Sequence, residues 1–266
     1  MDLELGGKTA IVTGGSRGIG KAVAYSLARE GAQVALIARD LTVAKRTADD
    51  IADGSHQKAA AYATDTGDDA AVEAAIERIA ADFGRIDILV NAAAQPGGQS
   101  RPPKLAEITN DHFWTDMNVK VMGYLRCARA VAPYMARQHW GRIINISGLA
   151  ARQTGSTIGS IRNIAVAALT KNLADELGPL GINVTCVHPG ITRTEKTPGV
   201  FQRQAEAQGI TADEVEKRWA GLNLIRKIVT AAEVADVVAF LASPRSVAIN
   251  GDAIATGGGT PGAIHY

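Results

Sequence analysis

Short apolar runs of strand length alternate along this chain with longer stretches in which apolar residues return at helical spacing. The runs are residues 8–13, 33–38, 58–64, 86–91, 142–147, 182–187 and 252–256. Most are nearly continuous in apolar character, the pattern of strands covered on both faces. After the first run Val23, Ala24, Leu27 and Ala28 make a helix face that Gly31 can close, and after the second an Ala-rich segment extends to Asp53. After the third, Val72, Ile76, Ile79 and Phe83 form one apolar stripe, with Gly84 as a stop. Strand–helix repetition of this kind favours parallel strands joined by right-handed crossovers. The predicted fold is α/β: a single-domain, doubly wound parallel sheet with helices on both faces.

No Pro/Gly/Ser linker, charge block or fixed-period repeat divides the chain, so residues 1–266 are read as one domain. The alternation breaks between about residues 194 and 228. There Pro198-Gly199 precedes two short helical segments, the second opened by a capping box of Thr211 and Glu214 and carrying Val215, Trp219 and Leu222. Two readings stand for this insertion, a lid over a site or a segment packed permanently on the core. A second capping box, Thr230 to Glu233, starts a last helix running toward Leu241.

Composition narrows the function classes. The 266 residues are 46% hydrophobic, enough for a sizeable core, and 28 Lys plus Arg against 27 Asp plus Glu give a net charge of +1. That balance lacks the basic footprint of a nucleic-acid partner. Two cysteines, Cys127 and Cys186, are too few for a disulfide framework or a four-cysteine zinc site. They read as buried thiols, a single bridge between them remaining open, and no metal is expected. With no apolar stretch of membrane length and no basic segment followed by an apolar run at the start, the expectation is a cytoplasmic protein without a membrane partner.

The first run leads straight into Thr13-Gly14-Gly15-Ser16-Arg17-Gly18-Ile19-Gly20, and a helix follows. Strand, glycine turn and helix in that order suit a dinucleotide diphosphate. The turn is sharp, the backbone approaches the anion closely, and the helix start offers N–H groups and a positive dipole end. A tight turn without a ligand is the plain alternative. An acidic residue about 20 positions on is the usual mark of NAD, whereas this chain has Ala38-Arg39. Arg39, helped by Arg17, would bond a 2′-phosphate, so NADP is expected over NAD. In the rival reading Asp40 takes the acidic role and Arg39 is a solvated charge.

The T-G-x-x-x-G-I-G turn resembles the glycine motif of the short-chain dehydrogenase/reductase family, and further matches extend along nearly the whole chain. Asn91-Ala92-Ala93-Ala94 resembles that family's N-N-A-G motif with its last glycine replaced. Met117-Asn118-Val119 resembles the helix-borne active-site asparagine, and Asn145-Ile146-Ser147 the serine-bearing strand. Pro189, Gly190, Ile191, Thr192 and Thr194 are similar to the P-G-x-x-x-T loop over the nicotinamide, and Glu233-Val234-Ala235 to the family's last helix. The resemblance implies a Rossmann-type sheet, cofactor contacts from these segments and from Asp65 and Thr66 near the adenine, a small-molecule substrate, and a homotetramer or dimer. In that arrangement the tail from Ala253 to Tyr266 lies near the subunit contacts, and the loop from Gln95 to Lys104 shapes the substrate end.

At the catalytic positions the resemblance breaks. The family uses a Tyr as acid/base and a Lys four residues later, which share a helix face so that the ammonium lowers the phenol pKa. Aligning Leu169-Thr170 and Leu173-Ala174 puts Gly159 and Asn163 at those positions. No tyrosine lies between Tyr134 and Tyr266 and no lysine between Lys120 and Lys171, so a shift of register restores neither. The remaining candidates are Ser147 to orient substrate, Asn118 as a catalytic or merely structural helix-bulge residue, and His188 as a recruited acid. Asn163 would bond the ribose without charge. Arg162, which cannot donate a proton at neutral pH, would hold an anionic substrate or sit on the surface. Two functions follow: an NADP-binding oxidoreductase with an altered acid/base site, or a catalytically inactive nucleotide-binding sensor, scaffold or hetero-oligomer subunit.

Overall fold

All seven apolar runs become strands of one parallel sheet in the computed structural model, which describes residues 1–94, 101–262 and Ile264. In chain order the first half comprises β1 (Thr9–Thr13), α1 (Gly18–Arg29), β2 (Gln33–Ala38), α2 (Leu41–Ser55), β3 (Ala59–Ala63), α3 (Asp69–Phe83) and β4 (Ile88–Asn91). Then come α4 (Asn110–Met117), a π-helical stretch Asn118–Met122, α5 (Gly123–Arg137), β5 (Gly141–Ile146), α6 (Thr157–Leu177) and β6 (Ile182–Pro189). The chain continues through β7 (Thr192–Arg193), α7 (Thr197–Gln208), α8 (Ala212–Ala220), β8 (Val229–Thr230), α9 (Ala231–Ala242) and β9 (Ala253–Thr256).

Sheet order is β3-β2-β1-β4-β5-β6-β9, so the winding reverses between β1 and β4. Adjacent residues on each strand serve opposite faces. Val12, Leu36, Val90 and Ile144 pack with Val23 and Leu27 of α1 and Val234 and Val238 of α9. Their neighbours Ile11, Ile37, Leu89 and Ile143 pack with Val72 and Ile76 of α3 and Val131 and Met135 of α5. Each such fully buried aliphatic side chain contributes roughly 1.5–3 kcal/mol of transfer free energy. This two-sided covering is why the strands lack a polar alternation.

Local chemistry fixes the ends of the elements. Asp68 caps α3 by accepting from Ala71 N at 2.9 Å, and Gly84 ends it in the left-handed region at φ 79°. Both capping boxes form as expected, at Thr211–Glu214 and Thr230–Glu233. Below β1 and β4 the fully buried Asp87 accepts from Thr9 N at 2.8 Å and from Arg85 at 2.6 and 2.7 Å, tying the two central strands together. Cys127 and Cys186 are both free and buried, so no bridge joins them. Among the described residues no helix is long and apolar enough to cross a membrane. The insertion has a small core of its own, in which Phe201, Ala205, Val215 and Ile228 pack with Trp219.

Candidate functional site

The reversal of winding leaves a crevice beyond the strand ends, and there the chain encloses a cavity of about 980 Å³. Its floor is the glycine turn. Gly14 has φ +66°, and a Cβ there would lie 2.9 Å from Ala93 Cα; at Gly20 it would overlap the Gly14 carbonyl. Any side chain at either position would force the turn apart. Thr13 Oγ1 accepts from the backbone N–H groups of Ala92 (3.1 Å) and Ala93 (3.2 Å), which locks the turn against the end of β4.

The cavity wall includes Ser16, Arg17, Gly18, Ile19 and Gly20 at the head of α1. Arg39, Asp65 and Thr66 follow from the ends of β2 and β3, then Ala92 and Ala93 beyond β4. Pro189, Gly190, Ile191, Thr192 and Thr194 close it beyond β6. Of the expected cofactor contacts, only Asn91 is not among the lining residues. Its side chain is buried beneath them, donating to Asn145 Oδ1 at 2.9 Å. Asp40 faces the cavity but caps α2, accepting from Val43 N at 3.2 Å, and pairs with Arg17 at 3.5 Å. The insertion overhangs this space with Val200, Trp219, Leu222 and Asn223. Of the loop from Gln95 to Lys104, residues 95–100 lie outside the described residues, as do Ala263, His265 and Tyr266 of the tail.

The expected catalytic residues divide. Ser147 lines the cavity at the end of β5, its hydroxyl donating to Asn163 O at 3.0 Å. His188 does not line it. Alternation along β6 gives it the face of Cys186, and its Nδ1 sits 3.8 Å from that thiol with the residue 2% exposed. Asn118 does not line it either. Asn118 opens the π-helical stretch, its amide donates to Gly67 O (3.3 Å) and its carbonyl accepts from Arg126 (3.2 Å). Arg162 reaches the wall, but its Nη1 bonds both carboxylate oxygens of Asp116, at 2.6 and 2.7 Å, in a largely buried pair that neutralises its charge.

Gly159 and Asn163 lie on the first turns of α6, whose cap Ser156 accepts from Gly159 N at 3.1 Å. A Cβ on Gly159 would stand 2.7 Å from Ser156 Oγ, so the helix entrance is built around a glycine. Asn163 is 3% exposed, lines the cavity, and its Oδ1 is buried without a hydrogen-bond partner. An orphaned acceptor of this kind costs roughly 1–3 kcal/mol until a donor arrives.

Two groups that the sequence did not single out also stand here. Glu195 places its carboxylate against the head of α1, accepting from Gly18 N at 3.1 and 3.2 Å. An anion thus already occupies the helix start. Lys120, in the π-helical stretch, is 4% exposed and donates from Nζ to Ser147 O at 2.8 Å. Burial, reinforced by the Arg162 guanidinium, pulls its pKa down to about 7, with Asp116 opposing. Tyr124, also in the wall, donates to Ile146 O at 2.9 Å, and burial pushes its phenol above the ordinary range. The sequence alone gave no signal for Lys120 beyond a lysine inside an otherwise apolar helix segment.

Residues 14–260 match the family model described as enoyl-(acyl carrier protein) reductase. The chain belongs to the short-chain dehydrogenase/reductase family. It is 36% identical over 253 residues to the short-chain reductase protein NovJ of Streptomyces niveus, covering 95% of this chain and 93% of that one. It is also similar in structure to L-sorbose reductase of Gluconobacter frateurii, solved with NADPH and L-sorbose, with a TM-score of 0.93, 26% identity, and coverage of 99% and 100% of the two chains. YwfH, an NADPH-dependent reductase involved in bacilysin biosynthesis, aligns with a TM-score of 0.86, 27% identity, and coverage of 97% and 99%.

Proposed function

We propose that this chain is an NADP-dependent reductase of a small carbonyl, activated alkene or imine, working with an altered acid/base site. The observation that carries the reading is the orphaned Asn163 Oδ1 in a cavity floored by glycines that admit no side chain. That pairing suits a ribose hydroxyl beside a diphosphate. The residues present fit the cofactor. The N–H groups at the head of α1 would take the diphosphate, Arg17 and Arg39 the 2′-phosphate, Asp65 and Thr66 the adenine end, and Asn163 with the loop from Pro189 to Thr194 the nicotinamide end. The related structures solved with NADPH, or described as dependent on it, support the same choice of nucleotide.

When bound, reduced nicotinamide supplies a hydride. The chain must then orient the acceptor and deliver a proton. Ser147 lines the cavity, where its hydroxyl would turn to hold a substrate oxygen, and Trp219, Leu222 and Val200 of the insertion form an apolar wall that limits water. Gly159 and Asn163 stand at the family's Tyr and Lys positions. Losing a positioned proton donor costs about 10²- to 10⁴-fold in rate. Reduction of an ordinary ketone therefore needs a donor from elsewhere, whereas an activated alkene or an iminium needs less. Following the absorbance of NADPH against a panel of ketoses, simple ketones, enones and imines tests the reading. Consumption with at least one class is expected. Tight nucleotide binding without consumption by any member favours the inactive nucleotide-binding subunit instead.

A further inference from the structure

We infer that Lys120 is the proton donor of this site, reaching in from the π-helical stretch to the strand end that a lysine at position 163 would have served. The assignment rests on the reductase reading above and adds the identity of its acid. Geometry carries it. Ser147 is held from two sides at the end of β5: its hydroxyl donates to Asn163 O at 3.0 Å and its carbonyl accepts from Lys120 Nζ at 2.8 Å. Lys120 is also among the residues that line the cavity, together with Ser147 and Asn163, and its ammonium is bonded to Ser147 O beside that space.

The fold brings it there through the widened turn Asn118–Met122, a helical irregularity of the kind that recurs at functional sites. Gly123 follows immediately, and a Cβ on it would sit 3.1 Å from Thr66 O, so the helix presses closely on the loop after β3. The groups facing Lys120 are Arg162 of α6, Asp116 of α4 and Cys186 of β6. His188 stands one contact further, against Cys186. Asp116 and Arg162 bond each other, leaving Lys120 to answer mainly to its own desolvation.

Among the cavity-lining groups, two proton donors bond backbone carbonyls at this strand end, and they differ in acidity. Tyr124 is driven toward a weaker acid, while Lys120 is driven into the neutral range where proton transfer is most effective. In the step assigned here one N–H bond of the Lys120 ammonium breaks and an O–H bond forms on the substrate carbonyl oxygen. The substrate carbon receives the hydride electron pair from NADPH, which is oxidised to NADP⁺. The neutral amine left behind regains its proton from water.

Selective ¹³C labelling at the lysine ε-carbons, with the Lys120→Arg spectrum for assignment, follows this group directly by NMR. A titration near neutrality is expected in the free chain. In the oxidised-nucleotide complex the midpoint falls by about one unit relative to the reduced complex, because the nicotinamide then carries a positive charge close by. A midpoint in the ordinary lysine range overturns the assignment, as does an equal midpoint in both complexes when other resonances report binding. Absence of any nucleotide-induced change in the spectrum instead sinks the reductase reading, and the assignment with it. With a panel compound that turns over, Lys120→Met should lower kcat about 10²-fold or more and abolish the alkaline limb of the pH profile near 7. Lys120→Arg keeps the cation and a donor to Ser147 O but cannot release a proton. Recovery of wild-type kcat in that variant would reduce Lys120 to a positioning group.

Discussion

Replacing Glu195 with Ala removes a carboxylate that accepts from Gly18 N at 3.1 and 3.2 Å, at the helix start where a diphosphate would bind. In the free chain this contact competes with nucleotide. A hydrogen bond to a charged acceptor is worth about 1.5–3 kcal/mol when buried, and because Glu195 is exposed solvent screening discounts this to about 1–2 kcal/mol with the helix dipole included. A latch of that strength leaves roughly 3–15% of molecules open, and apparent affinity is reduced to that fraction of its intrinsic value. Cutting it should therefore tighten NADP(H) binding about 6- to 30-fold at low ionic strength. Glu195→Gln, which keeps an acceptor but not the charge, should fall between variant and wild type. Trp219 lines the cavity, so its emission and that of NADPH report occupancy directly. The advantage should shrink in high salt. Equal or weaker affinity of Glu195→Ala at low salt refutes the competition.

Further outcomes follow from other groups. Arg39→Asp should weaken NADP by about tenfold or more and shift preference toward NAD, measured by paired titrations, since it replaces a donor to the 2′-phosphate by a repulsive charge. Unchanged relative affinities would remove Arg39 from that role. Asp87→Ala leaves the buried Thr9 N–H unpaired and should cost about 2–4 kcal/mol in urea unfolding, against well under 1 kcal/mol if the clamp is incidental. Lys120 has a folded-state pKa near 7, below its ordinary value of about 10.4, so between those values the unfolded chain binds the extra proton and stability rises with pH. From pH 7 to 9 wild type should gain roughly 2 kcal/mol relative to Lys120→Met in chemical denaturation. A gap that stays constant across that window contradicts the burial of this ammonium.

What the sequence revealed, and what it concealed, follows the range of the interactions. The strands and the glycine turn were legible because their causes are local: continuous apolar runs, and glycines whose absent Cβ atoms are needed within a few residues. Both late capping boxes were legible for the same reason. His188 has chemistry that suits a donor, and only strand pairing reveals that alternation turns it toward Cys186. Lys120 and Glu195 were invisible because their roles depend on partners 27 and 177 residues away, Ser147 and Gly18. Gly159 reads as a loss from the resemblance alone, yet it also accommodates the Ser156 cap, so placing a tyrosine there requires moving that serine as well.

The sheet order has a bearing on how the molecule comes into being. β9 pairs with β6 at the edge of the sheet, and Gly257 beyond it packs against Gly190 and Leu149, while Gly259 and Thr260 complete the wall. A polypeptide emerging from its N-terminus can therefore assemble the glycine turn early but must wait for residues past 256 before the chamber is whole. Until then the half-built pocket leaves β6 as a raw edge, the moment in its synthesis when it is most open to pairing with the wrong strand.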